Sequence, residues 1–297
     1  MLQLNMLQLD VHPSKPTMLQ RTKSAVMAIG GAEDKIRGRH ILQAFFQRAG
    51  SKDAYIAVIP SASREPESMG RMYQDIFLEM GAKAVEVFLV TDRAQGEESE
   101  LLSQLQHCTG VFLSGGDQLR LSDLLADTPL LEQLKNQVWQ GQTVLAGTSA
   151  GAAVLGERMI ASGGSGEAPN RALVDMTAGL GIIPSVIVDQ HFYNRNRLAR
   201  LISAIAAYPD KLGIGIDEDT CALFEADGLL QVLGKGAVTI VDPRDVTHTN
   251  HDAIGLTDPL SIYNLRLHVL SHGDCYDLHR HEVLSQSSGL PPFDRSS

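Results

Sequence analysis

Five short apolar runs, each closed by glycine or small polar residues, recur through the first half of the chain and are separated by stretches with helical spacing. The runs are AVMAIGG (25–31), YIAVIPSA (55–62), AVEVFLV (84–90), GVFLSGG (110–116) and TVLAGTSAG (143–151). Their near-continuous apolarity is that of strands buried on both faces. Between them, ILQAFFQRAG places Ile41, Leu42, Phe45 and Phe46 on one helical face and stops at Gly50. PESMGRMYQDIFLEMG opens with Pro66 and ends at Gly81, and TPLLEQLKNQVWQG has the same layout. This alternation predicts a single α/β domain with a largely parallel central sheet flanked by helices. The second half is less regular. VIVDQHF (186–192), LGIGIDE (212–218) and TCALFEA (220–226) read as strands, and LLQVLGKGAVTIVDP (229–243) reads as a hairpin around Gly234 and Gly236. These pieces predict a mixed extension of the same sheet.

Charge and cysteine content narrow the function classes. The chain has 297 residues, 35 acidic and 25 basic, for a formal charge of −10. That balance disfavours sequence-independent nucleic-acid binding and docking on anionic lipid. No apolar run reaches the roughly 18 residues of a membrane span. Cys108, Cys221 and Cys275 are widely spaced and form no CxxC pair, so neither a zinc ribbon nor a disulfide framework is indicated. His248 with His251, and His279 with His281, lack partners at ligand spacing, so no metal is expected. Gly30-Gly31 lacks the rest of a dinucleotide fingerprint, and no cofactor is expected. The N-terminus lacks the layout of a secretion signal, which predicts a cytoplasmic protein. Residues 1–24 read as a loose extension broken by Pro13 and Pro16, residues 25–283 as the folded domain, and residues 284–297 as a polar tail.

In an open α/β sheet, ligands sit beyond the carboxyl ends of the parallel strands. There the chain places Gly147-Thr148-Ser149-Ala150-Gly151, a G-x-S-x-G sequence between a strand and AGAAVLGER, which reads as a helix. Such a turn exposes its serine as a nucleophile. The Ala150 amide at the helix start, and that of Gly116 on the neighbouring strand, are candidate donors to an oxyanion. A serine needs a base and the base an orienting acid. Of the ten histidines, only His191 directly follows a buried apolar run among polar strand-end groups. Glu218 ends LGIGI within Asp217-Glu218-Asp219, and either aspartate is an alternative. The order Ser149, His191, Glu218 differs from the serine–acid–histidine order of α/β-hydrolases and argues against that fold.

GTSAGA, VDQHF followed by NRNRLARL, and GIDEDTCALFE together resemble the cyanophycinase family of S51 serine peptidases. IGGAEDK, IPSASRE, SGGDQLRLSDLLADTPL and GEAPNRALVDMTAGLGI extend the likeness over about residues 25–275. The resemblance implies a class I glutamine amidotransferase-like fold, usually as a homodimer. It implies exopeptidase cleavage of cyanophycin, whose poly-aspartate backbone carries arginine on each β-carboxyl, to β-Asp-Arg. The family's triad positions fall on Ser149, His191 and Glu218. Its substrate-binding positions fall on Gln118, Asp175, Asp189, Gln190, Arg195, Arg197 and Arg200. A substrate bearing guanidinium and carboxylate in every unit suits a site of both charges. The three arginines cannot serve one carboxylate from a single helix face unless Arg195 precedes the helix. The glycine-rich Ser162–Glu167 stretch is expected to border the polymer cleft. The alternative within the group is an α-aspartyl dipeptidase. A non-catalytic anion cradle is disfavoured by His191 and Glu218, and a glutamine amidotransferase by serine, not cysteine, at position 149.

Overall fold

The computed structural model describes residues 24–166 and 168–284. Apart from Ser24 and Leu284, the expected N-terminal extension and C-terminal tail lie outside the described residues, as does Glu167. The first half runs β1 (Val26–Ile29), α1 (His40–Arg48), β2 (Tyr55–Ile59), α2 (Pro66–Glu79), β3 (Ala84–Val87), α3 (Ser99–Gln106), β4 (Gly110–Leu113), α4 (Gln118–Leu125), α5 (Pro129–Gln140), β5 (Val144–Thr148) and α6 (Ala150–Ala153). It is followed by a hairpin of β6 (Arg158–Gly163) and β7 (Val174–Ala178). Then come β8 (Val186–Gln190), α7 (Leu198–Ala207), β9 (Leu212–Ile216), β10 (Thr220–Phe224), β11 (Leu229–Gly234) and β12 (Val238–Asp242). A small pair, β13 (His248–Thr249) with β14 (Ile262–Tyr263), precedes β15 (Arg266–Leu270), β16 (Cys275–Asp277) and β17 (Glu282–Leu284).

The five runs of the first half are the parallel strands, in the order β1-β5-β4-β2-β3. Side chains alternate across this sheet as the pleat requires. Met27, Ile29 and Phe112 face α1 and α2, whereas Val26, Ala28, Val111 and Leu113 face the opposite layer. The predicted α1 face, Ile41, Leu42, Phe45 and Phe46, is buried as a block. Phe112 packs 5.6 Å from Phe45, 5.5 Å from Phe77 and 4.5 Å from Tyr73, centroid to centroid, in tilted and edge-on contacts that suit the ring quadrupole. Gly50, directly after the helix end, has φ 114°, the left-handed conformation that closes a helix.

The second half corrects the expectation of one extended sheet. The strands β10, β11, β16 and β17 add antiparallel to the β1 edge, giving nine strands. The others, β15-β12-β9-β8, form a separate four-stranded sheet. Its inner face shares a core with the large sheet, and its outer face carries α7 through Leu201 and Ile205. The expected hairpin over 229–243 does not form. Its first strand, β11, pairs with β10, and its second, β12, pairs with β9. The chain crosses between sheets at Gly234–Gly236, as it does at Asp217–Asp219. The two crossings hold each other: Lys235 N donates to Asp219 O at 2.9 Å, and Gly236 N to Thr220 Oγ1 at 2.8 Å. Gly234 has φ 131°, and a Cβ there would lie 2.3 Å from the Asp219 carbonyl oxygen, so this crossing needs glycine.

The helix after the elbow is also shorter than AGAAVLGER suggests, ending at Ala153. The reason is competition for its carbonyls. Val154 O accepts from Leu180 N at 2.7 Å, and Leu155 O accepts from Ile182 N at 2.9 Å. No helix of the described residues is long and apolar enough to cross a membrane.

Candidate active site

The site lies where the carboxyl ends of two parallel strand pairs meet. In the large sheet these are β1 and β5, in register Ile29 to Thr148; in the small sheet, β8 and β9, in register Gln190 to Ile216. Ser149 follows β5, His191 follows β8, and Glu218 lies in the turn after β9. Three residues in these turns take left-handed backbone: Ser149 (φ 54°), His191 (φ 47°) and Asp219 (φ 48°). Such conformations cost on the order of 1–3 kcal/mol each for non-glycine residues and persist only when surrounding contacts hold them. The holding contacts come from one segment. Ser149 N donates to Ile29 O at 2.9 Å, His191 N to Gly30 O at 2.8 Å and Asp219 N to Gly31 O at 2.9 Å. The successive carbonyls of Ile29, Gly30 and Gly31, at the end of β1 and just beyond it, thus hold all three turns. Gly31 also lets the imidazole approach, since a Cβ there would lie 2.4 Å from His191 Nε2.

This frame brings Ser149 Oγ to 3.1 Å from His191 Nε2, and His191 Nδ1 to 2.6 Å from Glu218 Oε1. The three acids of this turn have different partners. Asp217 accepts from the amides of Tyr193 and Ala237, each at 2.9 Å, and Asp219 accepts from the amide of Asp34 at 2.9 Å. Both are turn-builders, and Glu218 is the acid that meets the imidazole. Its own amide donates to Asn194 Oδ1 at 3.3 Å. Around Ser149, Gly115 is close enough that an added Cβ would lie 3.1 Å from Ser149 Cβ, so the turn after β4 packs against this side chain.

Burial pushes the His191 imidazole below its ordinary value. Arg195 and Arg197 act in the same direction, while the Glu218 carboxylate opposes them through its hydrogen bond and charge. A base must be neutral to accept a proton, so activity is lost as pH falls through this pKa. The acid limb of kcat/KM is therefore expected below the ordinary histidine range near 6.5. Arg195→Gln removes a like charge and moves that limb to higher pH; Glu218→Gln removes the stabilising partner and moves it lower. Rate profiles from about pH 4 to 8 check both directions, and shifts of the same sign in the two variants contradict this assignment.

The positions implied by resemblance fall into two groups. Gln118 is half-buried, Asp175 and Arg195 are exposed, and Gln190, though buried, reaches the Ser149 side chain. Gln118 Nε2 donates to Ala161 O at 2.6 Å, and Asp175 accepts from Ser162 Oγ at 2.5 Å, both on the β6–β7 hairpin. Gln190 Oε1 lies 3.4 Å from Ser149 Oγ. Arg195 is exposed and sits in a 3₁₀ turn, Tyr193–Arg195, before α7, which satisfies the condition set by the helix-face argument. The glycine-rich loop reaches this turn through Gly166 N donating to Asn196 O at 3.1 Å.

Asp189, Arg197 and Arg200 form a second, buried group. They are 1%, 8% and 5% exposed and are engaged with one another beneath the His191 turn. Arg200 holds Asp189 through two bonds, Nε to Oδ2 at 2.6 Å and Nη2 to Oδ1 at 2.5 Å. Arg197 Nη1 donates to Gln190 O at 2.5 Å and lies 3.4 Å from Asp189 Oδ1. Burial lowers the Arg197 pKa to about 10, against the opposing pull of Asp189. Sequence reasoning named these charges but could not tell an inward arginine from an outward one. It gave no role to Glu33, Gly31 or Asn194, although IGGAEDK was visible as a strand-end segment.

Among the described residues, no group of three or more histidine, cysteine, aspartate or glutamate side chains is placed to hold a metal ion. The model of peptidase family S51 matches residues 25–232. A cyanophycinase from Thermosynechococcus vestitus is 66% identical over 291 residues, covering 97% of this chain and 89% of that protein. One from Trichormus variabilis is 62% identical over 265 residues, covering 89% of each. One from Geminocystis herdmanii is 57% identical over 268 residues, covering 90% of this chain and 98% of the relative. A crystal structure of a peptidase from an acI-B1 Actinobacterium superposes with a TM-score of 0.61 at 22% identity, covering 87% of this chain and 98% of the other, and so shares the fold. With the family model spanning most of the described domain and relatives this similar over most of their length, the chain belongs to peptidase family S51.

Proposed function

We propose that this S51 peptidase is a serine exopeptidase that hydrolyses the poly-aspartate backbone of cyanophycin and releases β-Asp-Arg. The reaction class rests on one observation, the Ser149–His191–Glu218 chain of hydrogen bonds at 3.1 and 2.6 Å. The substrate rests on the name carried by relatives 57–66% identical. His191 Nε2 takes the Ser149 proton as Oγ bonds to the carbonyl carbon of the amide between two aspartyl units. The carbonyl π electrons move to oxygen, which the amides of Ala150 and Gly116 receive. Glu218 holds Nδ1–H and steadies the imidazolium. Collapse breaks the C–N bond, and the leaving amine takes the proton from His191. Water then attacks the acyl-enzyme, gives its proton to His191, and Ser149 regains it.

Four side chains are assigned to substrate. Asp175 suits a guanidinium, Arg195 suits a free carboxylate, and Gln118 and Gln190 suit the amides between. Asp189, Arg197 and Arg200 are assigned to support of the turn that presents Gln190 and His191. The enzyme works as a homodimer, as the family resemblance implies, and a cytoplasmic location is part of the same proposal. The test is incubation with insoluble cyanophycin and, separately, casein, with soluble products identified by mass. The expected result is β-Asp-Arg from cyanophycin and intact casein. No release from cyanophycin, with turnover of short aspartyl peptides, overturns the substrate and favours the dipeptidase.

A further inference from the structure

The mechanism leaves one buried acid without a part. Glu33 is 3% exposed and lies in the segment after β1 whose backbone holds the triad turns. Its carboxylate meets three donors. Thr148 Oγ1 donates to Oε2 at 2.5 Å, Lys35 Nζ pairs with Oε1 at 2.8 Å, and the Tyr73 hydroxyl donates to the same Oε1. A carboxylate this deep is costly unless its lone pairs and charge are matched, and here they are. Tyr73 is itself 2% exposed, lies 4.5 Å from Phe112, and is kept protonated by burial beside Glu33. Glu33 is thereby anchored to α2 and to the aromatic core.

Thr148 is the residue before the nucleophile. Ser149 adopts φ 54° and ψ −111°, well outside the favoured regions for an L-residue. The main-chain bond from Ser149 N to Ile29 O fixes one side of that peptide. The strand pairing of Thr148 with Ile29 holds the main chain just before it. The Thr148 side chain, tied to Glu33, adds a side-chain restraint to these main-chain ones. From this geometry we infer that Glu33 is a positioning residue for the elbow: through Thr148 it holds the Ser149 backbone in the conformation that aims Oγ at His191 Nε2. This inference rests on Ser149 being the nucleophile.

The same segment then does two jobs. Its carbonyls place the three triad turns, and its one buried carboxylate locks the turn that carries the reacting oxygen. A carboxylate is required because two donors converge on Oε1 while a third takes Oε2. A glutamine offers only one acceptor oxygen, so at least one of these donors meets an NH2 group. The effect belongs on kcat, since Glu33 is buried beneath the turn and offers substrate nothing to bind.

The test measures the rate at which a fluorophosphonate labels Ser149, together with kcat, KM and Tm, using a soluble β-Asp-Arg oligomer as substrate. The proteins are wild type, Glu33→Gln, Thr148→Val and Thr148→Ser. Thr148→Val keeps the shape and loses the hydroxyl; Thr148→Ser keeps the hydroxyl and loses a methyl. Misaimed nucleophiles cost on the order of tenfold to a hundredfold. That loss is expected in labelling rate and kcat for Glu33→Gln and Thr148→Val, with KM near wild type and Thr148→Ser restored. If Glu33→Gln does not fold, the two Thr148 variants decide alone. Equal labelling and kcat in Thr148→Val and wild type overturn the inference. So does Thr148→Ser as slow as Thr148→Val, since the loss then follows packing and not the hydroxyl. An unlabelled wild-type Ser149 removes the nucleophile itself and the inference with it, a failure distinct from labelling that is equal across variants.

Discussion

Ser149→Ala lowers kcat on cyanophycin by about 10⁴- to 10⁶-fold, and Ser149→Ala/His191→Ala is no slower than Ser149→Ala alone. The non-additivity is the informative part. In the proposed mechanism His191 acts only through the Ser149 proton, so once the hydroxyl is gone the base has nothing left to accept. The residual rate comes from binding and from the two backbone amides, which neither substitution removes. Single-turnover release of β-Asp-Arg with each variant gives the comparison. Each side chain is small or half-buried at a strand end, so folding should survive, which circular dichroism checks. A double variant slower than Ser149→Ala by another factor of about a hundred or more would mean that His191 works independently of the serine. The 3.1 Å contact would then be incidental.

Much of this was legible in the sequence, and the rest fails for identifiable reasons. The parallel half reads well because each strand is followed by a helix whose apolar face is regular; α1 with Ile41, Leu42, Phe45 and Phe46 is the clearest case. The elbow reads well because G-x-S-x-G between a strand and a helix has few other uses. The division into two sheets does not read. LGIGI and TCALF have the same apolar pattern, yet β9 and β10 belong to different sheets, and only the Asp217–Asp219 crossing separates them. The Gly234–Gly236 crossing looks like a hairpin turn because glycine serves both purposes. Partner choice is a tertiary property, set by what else packs on each strand. Charge direction is equally hidden. Arg195, Arg197 and Arg200 stand within six positions, but the first is exposed and the other two are buried. The difference arises because Arg195 and Arg197 precede α7, so the helical spacing used to group them does not apply.

Asp189→Ala destabilises the fold by about 3–5 kcal/mol, because it leaves buried guanidinium charge without its carboxylate. The reasoning turns on burial. Asp189 is 1% exposed, its Oδ1 also accepts from Gln190 N at 2.9 Å, and Arg200 is 5% exposed and directs both Nε and Nη2 at Asp189. For a domain of this size the loss lowers Tm by roughly 10 °C. The size of the effect does not mean that the ion pair stabilises by that amount, since much of it is the cost of the stranded arginine. The paired variant Asp189→Leu/Arg200→Met separates the two. It removes both charges, fills most of the volume, and is expected to recover a large part of the loss, although Arg197 keeps only the Gln190 carbonyl. Activity should not recover with stability. Asp189 is two residues from His191, and its two bonds from Arg200 are gone in this variant, so the strand end before the histidine turn keeps only the Arg197 bond to the Gln190 carbonyl. Thermal denaturation and kcat/KM on the same preparations give both readouts. A Tm within about 1 °C of wild type for Asp189→Ala would show that Arg200 finds water or another acceptor. A double variant with full activity would show that the buried ions serve the fold alone.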